Sequence, residues 1–222
     1  MSIGNVMQQM LNQINKKYPL TEKSVGEFSN IKAKGMKFQI KQYEAEGLGN
    51  VSMMEAKGFF GLMQMDTLII NPLKRDLPLF SYDRVLAMGN DILIIELYDT
   101  LLEKQDFTDL SAWKEENQNL PDYDLGKHWY DSIKLAESVS KKGKKEHSNS
   151  LEQFTRSYFD KYLNNKAANV TVSDISEKNK KATVYVEGLL CNGGPSTDVF
   201  KREFGDAKTG NLFRKVLFGT ES

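Results

Sequence analysis

A single cysteine, Cys191, stands in 222 residues, so no disulfide can form within the chain and its fold rests on burial and hydrogen bonding. Histidine is almost as scarce: His128 and His147, even with Cys191, are too few and too scattered for a structural zinc site. No apolar run approaches the roughly 20 residues that a spanning helix needs. Residues 1–18 also lack the basic-then-apolar order of a secretory signal, so a reducing, cytoplasmic setting is expected. Nor is there an excess of either charge. Thirty Lys and Arg balance thirty Asp and Glu, which argues against nucleic acid as a partner. The glycines form neither a dinucleotide fingerprint nor a phosphate loop, and Gly193-Gly194-Pro195 reads as a plain turn.

What remains is an ordinary globular composition, 40% hydrophobic and 27% charged, enough for one domain over residues 1–222. Ile3, Val6, Met7, Met10, Leu11 and Ile14 recur at helical spacing, and Tyr18-Pro19 stops that helix. From Met36 the period becomes two. Strands are expected at Met36 to Lys41, Val51 to Lys57, Phe59 to Ile70, Leu79 to Met88 and Asp91 to Tyr98, with a tight Gly89-Asn90 turn joining the last two. Short links imply antiparallel pairing. Beyond Leu102 helices are expected at 110–117, 128–140, 151–163 and 199–217, the last interrupted at Gly205. Lysines 141, 142, 144 and 145 read as a solvated linker, and 170–175 with 183–186 as a hairpin or an ordered loop.

Two of these strands carry an aspartate among apolar neighbours. Asp83 shares the face of Leu79, Val85 and Ala87; Asp66 shares that of Leu62, Leu68 and Ile70. A carboxylate in such company costs free energy unless it is paired or used. If neighbouring strands pair, the two acids face one cavity, where desolvation and mutual repulsion raise their pKa values toward the range of a proton donor. The alternative for each is a structural ion pair. Glu96, on the face of Ile94 and Tyr98, either lines the same cavity or is solvated at a sheet edge. His128 and Trp129 either wall a ligand or pack a helix on the sheet. Arg75-Asp76 reads as a turn-stabilising pair.

The run Pro72, Arg75-Asp76-Leu77-Pro78, Phe80 and Asp83-Arg84-Val85, with Phe204-Gly205 and Val216-Leu217-Phe218-Gly219 near the end, resembles the ferredoxin-dependent bilin reductases. The likeness is clear over about residues 59–100 and 195–219. It implies an α+β fold, a three-layer α/β/α sandwich with a central antiparallel sheet, holding a linear tetrapyrrole between sheet and C-terminal helices. It further implies a monomer without bound metal or flavin, taking single electrons from reduced ferredoxin. Asp83 matches the family's main proton donor, and Asp66 falls where members carry histidine or asparagine, making it an assisting acid. Phe80, Glu96, His128 and Asn192 are the expected substrate contacts. An acid that members usually carry before the last helix is replaced near Gly194, which leaves open a tetrapyrrole-binding protein without reductase chemistry.

Overall fold

The computed structural model describes residues 4–117 and 120–221; Ile3 of the expected first helix lies outside them. Helix α1 (Gly4–Lys17) buries Val6, Met7, Met10, Leu11 and Ile14, the stripe its spacing predicts, and ends as Tyr18 N–H reaches Ile14 O. Seven strands follow: β1 (Leu20–Lys23), β2 (Asn30–Ala33), β3 (Met36–Ala45), β4 (Gly49–Gly58), β5 (Met63–Asn71), β6 (Leu79–Ala87) and β7 (Asn90–Tyr98). With β8 (Val139–Lys144) they make one antiparallel sheet in the order β1-β3-β4-β5-β6-β7-β8, and β2 shares the β3 edge with β1. Mostly consecutive neighbours are what short hairpin links dictate. Two turns differ from expectation. Phe59–Gly61 is a tight turn before β5, and the β6–β7 hairpin turns at Met88-Gly89, both with positive φ as a two-residue connection of this kind requires.

One face of the sheet is covered by α1, α2 (Thr108–Glu116) and α3 (Ser148–Leu163), whose Leu151, Phe154, Tyr158, Phe159 and Tyr162 pack with Leu68, Ile70, Phe80, Tyr82, Leu93, Ile95 and Leu97. The other is covered by α4 (Ile175–Asn192), α5 (Pro195–Asn211) and a π-helical turn at Leu212–Leu217, packed on Phe38, Ile40, Met54, Ile69, Leu79 and Tyr98. This is the expected α/β/α sandwich. Each buried Leu or Phe contributes roughly 1.5–3 kcal/mol relative to exposure, so both layers are anchored many times over. Helix α5 breaks at Gly205, whose φ of 77° suits a residue without Cβ. Among the described residues no helix is long and apolar enough to cross a membrane.

Polar side chains in the middle of the sheet hold the C-terminal turn. Gln42 donates to Lys215 O, Ser52 to Leu217 O and Asn71 to Phe218 O, at 2.7, 2.7 and 2.8 Å, while Asn50 donates to Leu217 O at 3.1 Å. These carbonyls would otherwise be orphaned at the end of a helical segment. Gly219 closes the arrangement: its φ is 61°, and a Cβ there would sit 2.6 Å from Asn50 Cγ.

Three expectations in the second half are corrected. Residues 128–140 form a short 3₁₀ turn at Trp129–Ile133 and then enter β8. Lysines 141, 142 and 144 belong to that strand and Lys145 starts the turn after it; Lys141 is buried, its Nζ bonded to Leu120 O at 3.1 Å and Asp122 at 2.7 Å. Edge strands tolerate such lysines, which is why their charge pattern imitates a linker. Residues 175–192, read as part hairpin, are the long helix α4; Asp174 caps it by accepting from Glu177 N–H at 2.9 Å.

Candidate functional site

Between the sheet and the α4–α5 layer lies a cavity of about 200 Å³ that opens to solvent, lined mainly by apolar and aromatic side chains. Its floor is built from β4 to β7: Met54, Met65, Thr67, Ile69, Ser81, Asp83, Val85, Ile94, Glu96 and Tyr98. Period-two geometry explains this set, because Ser81, Asp83 and Val85 share a face of β6, and Thr67 is the cross-strand partner of Asp83. The opposite wall is Tyr185 and Leu189 of α4, the start of α5 at Gly194, Ser196 and Thr197, and Phe213, Leu217 and Phe218. The first amides of α5 lack intrahelical partners, so this end favours an anionic group.

Asp83 is the best placed acid. Thr67 Oγ1 donates to its Oδ1 at 2.5 Å, and the half-buried residue lines the cavity. Burial pushes its pKa up to about 6, against the hydrogen bonds from Thr67 and Ser81 and with help from the negative charge of Glu96. It is therefore a carboxyl that gains and loses its proton around pH 6, well above the ordinary carboxylate range. Glu96 is anchored separately. Tyr98 donates to its Oε2 at 2.6 Å, and Lys134 lies 3.5 Å from its Oε1 and 2.8 Å from Asp131. Tyr98 stacks on Tyr185 at 4.1 Å, and both phenols are pushed well above their ordinary value by burial. They stay neutral as hydrogen-bonding walls.

His128 also lines the cavity, its ring stacked on Tyr130 at 4.8 Å and 6°, with Nδ1 buried and without a hydrogen-bond partner. A buried ring nitrogen in a cavity wall is suited to meeting a polar group of a guest. The turn carrying it is fixed by Trp129, whose Nε1 donates to Gly193 O at 3.0 Å and whose ring lies against Gly188 of α4. A Cβ at Gly188 would overlap that ring. Gly188→Val is accordingly expected to swing Trp129 and His128 outward and to weaken ligand binding by roughly tenfold or more, read by absorbance titration.

Three residues expected in the site are elsewhere. Asp66 lies on the other face of the sheet: its cross-strand partner is Arg84, whereas Asp83 pairs with Thr67. Directly paired residues share a face, so the two aspartates, one step out of phase, point into opposite layers. Phe80 is out of phase with Asp83 on its own strand and packs on Phe159 and Tyr162 at 5.3 and 4.8 Å in the α3 layer. Asn192, at the end of α4, is exposed to solvent and absent from the cavity wall. The sequence reading missed Thr67, Tyr98, Tyr130 and Tyr185. Thr67 and Tyr98 were within its reach as polar partners on the face of Asp83, but Tyr185 was hidden because 183–186 reads as a hairpin or an ordered loop and not as a helix.

Asp66 has its own consequence. It is fully buried, one carboxylate oxygen has no partner, and burial pushes its pKa up to about 6, with the hydrogen bond from Gln64 opposing and Glu55 adding to the rise. Its unfolded value is near 3.8, so folding binds a proton across the window from there to about 6. Its contribution thus becomes more destabilising as pH rises through that window and is fully unfavourable above it. Asp66→Asn should flatten the loss of stability between about pH 4 and about pH 7 by an amount on the order of 2 kcal/mol, measured by chemical denaturation.

No family model and no curated protein sequence matches the chain. A solved structure does: the crystal structure of SeMet-phytochromobilin synthase from tomato in complex with biliverdin aligns with a TM-score of 0.78, covering 99% of this chain and 83% of that one at 16% identity. The chain is thus similar, over nearly its whole length, to a phytochromobilin synthase, and it has that protein's sheet-centred sandwich fold.

Proposed function

We propose that this protein is a soluble cytoplasmic oxidoreductase that reduces a linear tetrapyrrole such as biliverdin, with electrons from reduced ferredoxin or a similar small carrier. The observation that carries this reading is a protonatable aspartate, Asp83, in the floor of a mainly apolar cavity. The fold's likeness to a biliverdin-bound synthase adds the ligand class. The reaction adds two electrons and two protons across a conjugated double bond. The first electron makes the bound pigment a radical anion, which takes the Asp83 proton at carbon or oxygen; the second electron and a proton from solvent complete reduction, and Asp83 is reprotonated. The apolar wall keeps water from the radical. No resident metal or flavin is needed in this scheme, because the pigment itself accepts the electrons.

A second reading, pigment binding without turnover, is favoured by one observation: Gly194, not an acid, lines the cavity at the start of α5. Biliverdin titration followed by anaerobic addition of reduced ferredoxin separates the two. Reduction predicts a saturable shift of the pigment band and then its loss; simple binding predicts the shift alone. An unchanged spectrum at saturating biliverdin overturns both.

A further inference from the structure

Asp83 and Glu96 are the two carboxylates of the cavity wall among the described residues. Ser81 pairs with Glu96 and Asp83 with Ile94, so the two acids are diagonal neighbours on one face of β6 and β7, ~7 Å apart in a regular antiparallel sheet. Their partners differ. Asp83 receives a neutral hydroxyl, whereas Glu96 sits between the buried phenol of Tyr98 and the ammonium of Lys134. Lys134 is tied in turn to the exposed Asp131, so Glu96 shares its charge with a cation and Asp83 does not. Two acids whose surroundings differ in this way divide their roles, one holding a proton and the other a charge.

We propose that Glu96 is a positioning residue: a carboxylate fixed in the cavity wall whose charge keeps the proton on Asp83 until the reduced pigment takes it, with Lys134 setting how much of that charge Asp83 feels. This deepens the reading of a bilin reductase and rests on it for its purpose, though not for its electrostatics. The groups facing Asp83 are Thr67 from β5, Ser81 from β6, Glu96 and Tyr98 from β7, His128 and Tyr130 from the segment before β8, Tyr185 from α4, and Ser196 and Thr197 from α5. The hydroxyls of Ser and Thr bear no charge, and the three phenols are kept neutral by burial. His128 carries either no charge or a positive one and works against a retained proton. Glu96 is the one group in the wall whose charge favours it. The rise already noted for Asp83 agrees in direction.

The arrangement makes opposite predictions for two substitutions of similar size to the native side chains. Glu96→Gln keeps an acceptor for Tyr98 and removes the charge, so the midpoint for Asp83 moves down. Lys134→Met keeps the stem and removes the compensating cation, so it moves up. The experiment is carboxyl ¹³C NMR of aspartate-labelled, pigment-free protein, titrated with acid, with the Asp83 signal assigned by its loss in Asp83→Asn. The expected result is a fall of about one unit, a tenfold weaker hold on the proton, in Glu96→Gln, and a rise in Lys134→Met. An unmoved midpoint in Glu96→Gln, or shifts of the same sign in both variants, overturns the proposal. Structural damage alone would not shift the two variants in opposite directions. Because no pigment is present, this outcome is independent of whether the protein reduces a bilin: failure of biliverdin to bind would remove the reductase reading and leave the titration standing.

Discussion

Asp83→Asn is expected to bind biliverdin as the native protein does and to reduce it 10²- to 10⁴-fold more slowly, the range by which a positioned general acid accelerates proton transfer. Asparagine has the shape of the aspartate and keeps an acceptor for the Thr67 hydroxyl, so the cavity floor retains its form. It has no ionisable proton to give. The first electron can still arrive, and the pigment radical should then persist instead of decaying, which anaerobic stopped-flow absorbance reads directly. Thr67→Val supplies the complementary test. It removes a hydrogen bond that favours the ionised carboxyl, raises the Asp83 midpoint further, and should extend activity to higher pH.

Asp76→Ala is expected to destabilise the fold by about 3–5 kcal/mol, because it leaves the ammonium of Lys178 buried without its partner. Lys178 is fully buried and bonded to Asp76 at 3.0 Å and to Leu77 O at 2.7 Å; burial pushes its pKa down to about 8 even with Asp76 opposing. Asp76 also accepts from the Leu102 and Glu103 amides and from Gln105, and although burial opposes, these bonds hold its carboxyl below the usual range. One side chain therefore ties the β5–β6 link to α4 and to the segment after β7. Denaturant midpoints for Asp76→Ala and Asp76→Asn measure the effect, with asparagine retaining part of the bonding and losing less. Asp83→Asn makes the contrast: large in turnover, small in stability.

These two aspartates show what a single sequence discloses. The sheet was legible from β3 to β7 because alternation is strict wherever one side of a strand meets a core, as in Met36, Phe38 and Ile40. Asp83 was legible for the same reason: a charge on a face that otherwise alternates with apolar residues is visible without knowing the partner strand. The placement of Asp66 was not. Its face was read correctly for Leu68 and Ile70, though Leu62 lies before the strand and is exposed, but whether that face coincides with the face of Asp83 depends on register, which the seven residues 72–78 between the strands fix through tertiary contacts such as Asp76 to Lys178 and Tyr162 OH to Pro78 O. Arg75-Asp76 misled in a similar way: Arg75 bonds Gly47 O and Thr171, and Asp76 turns inward. Strand β8 was missed because its lysines are those of an exposed edge, and α4 because its β-branched and tyrosine stretch, Thr183 to Val186, has strand-like propensity that burial of Ala182, Tyr185 and Val186 at helical spacing overrides. Tyr185 and Leu189 of the cavity's far wall come from α4, so that part of the site could not be drawn from sequence.

The central claim is that the cavity-lining carboxyl of Asp83 supplies a proton to a bound, singly reduced tetrapyrrole. Its most direct test is the pH dependence of pigment-radical decay in single turnovers, native protein against Asp83→Asn. The account predicts a native rate that falls as pH rises through about 6, where Asp83 loses its proton, and a slow rate without that inflection in the variant. Equal decay in the two proteins, or a native profile flat through that range, would contradict it.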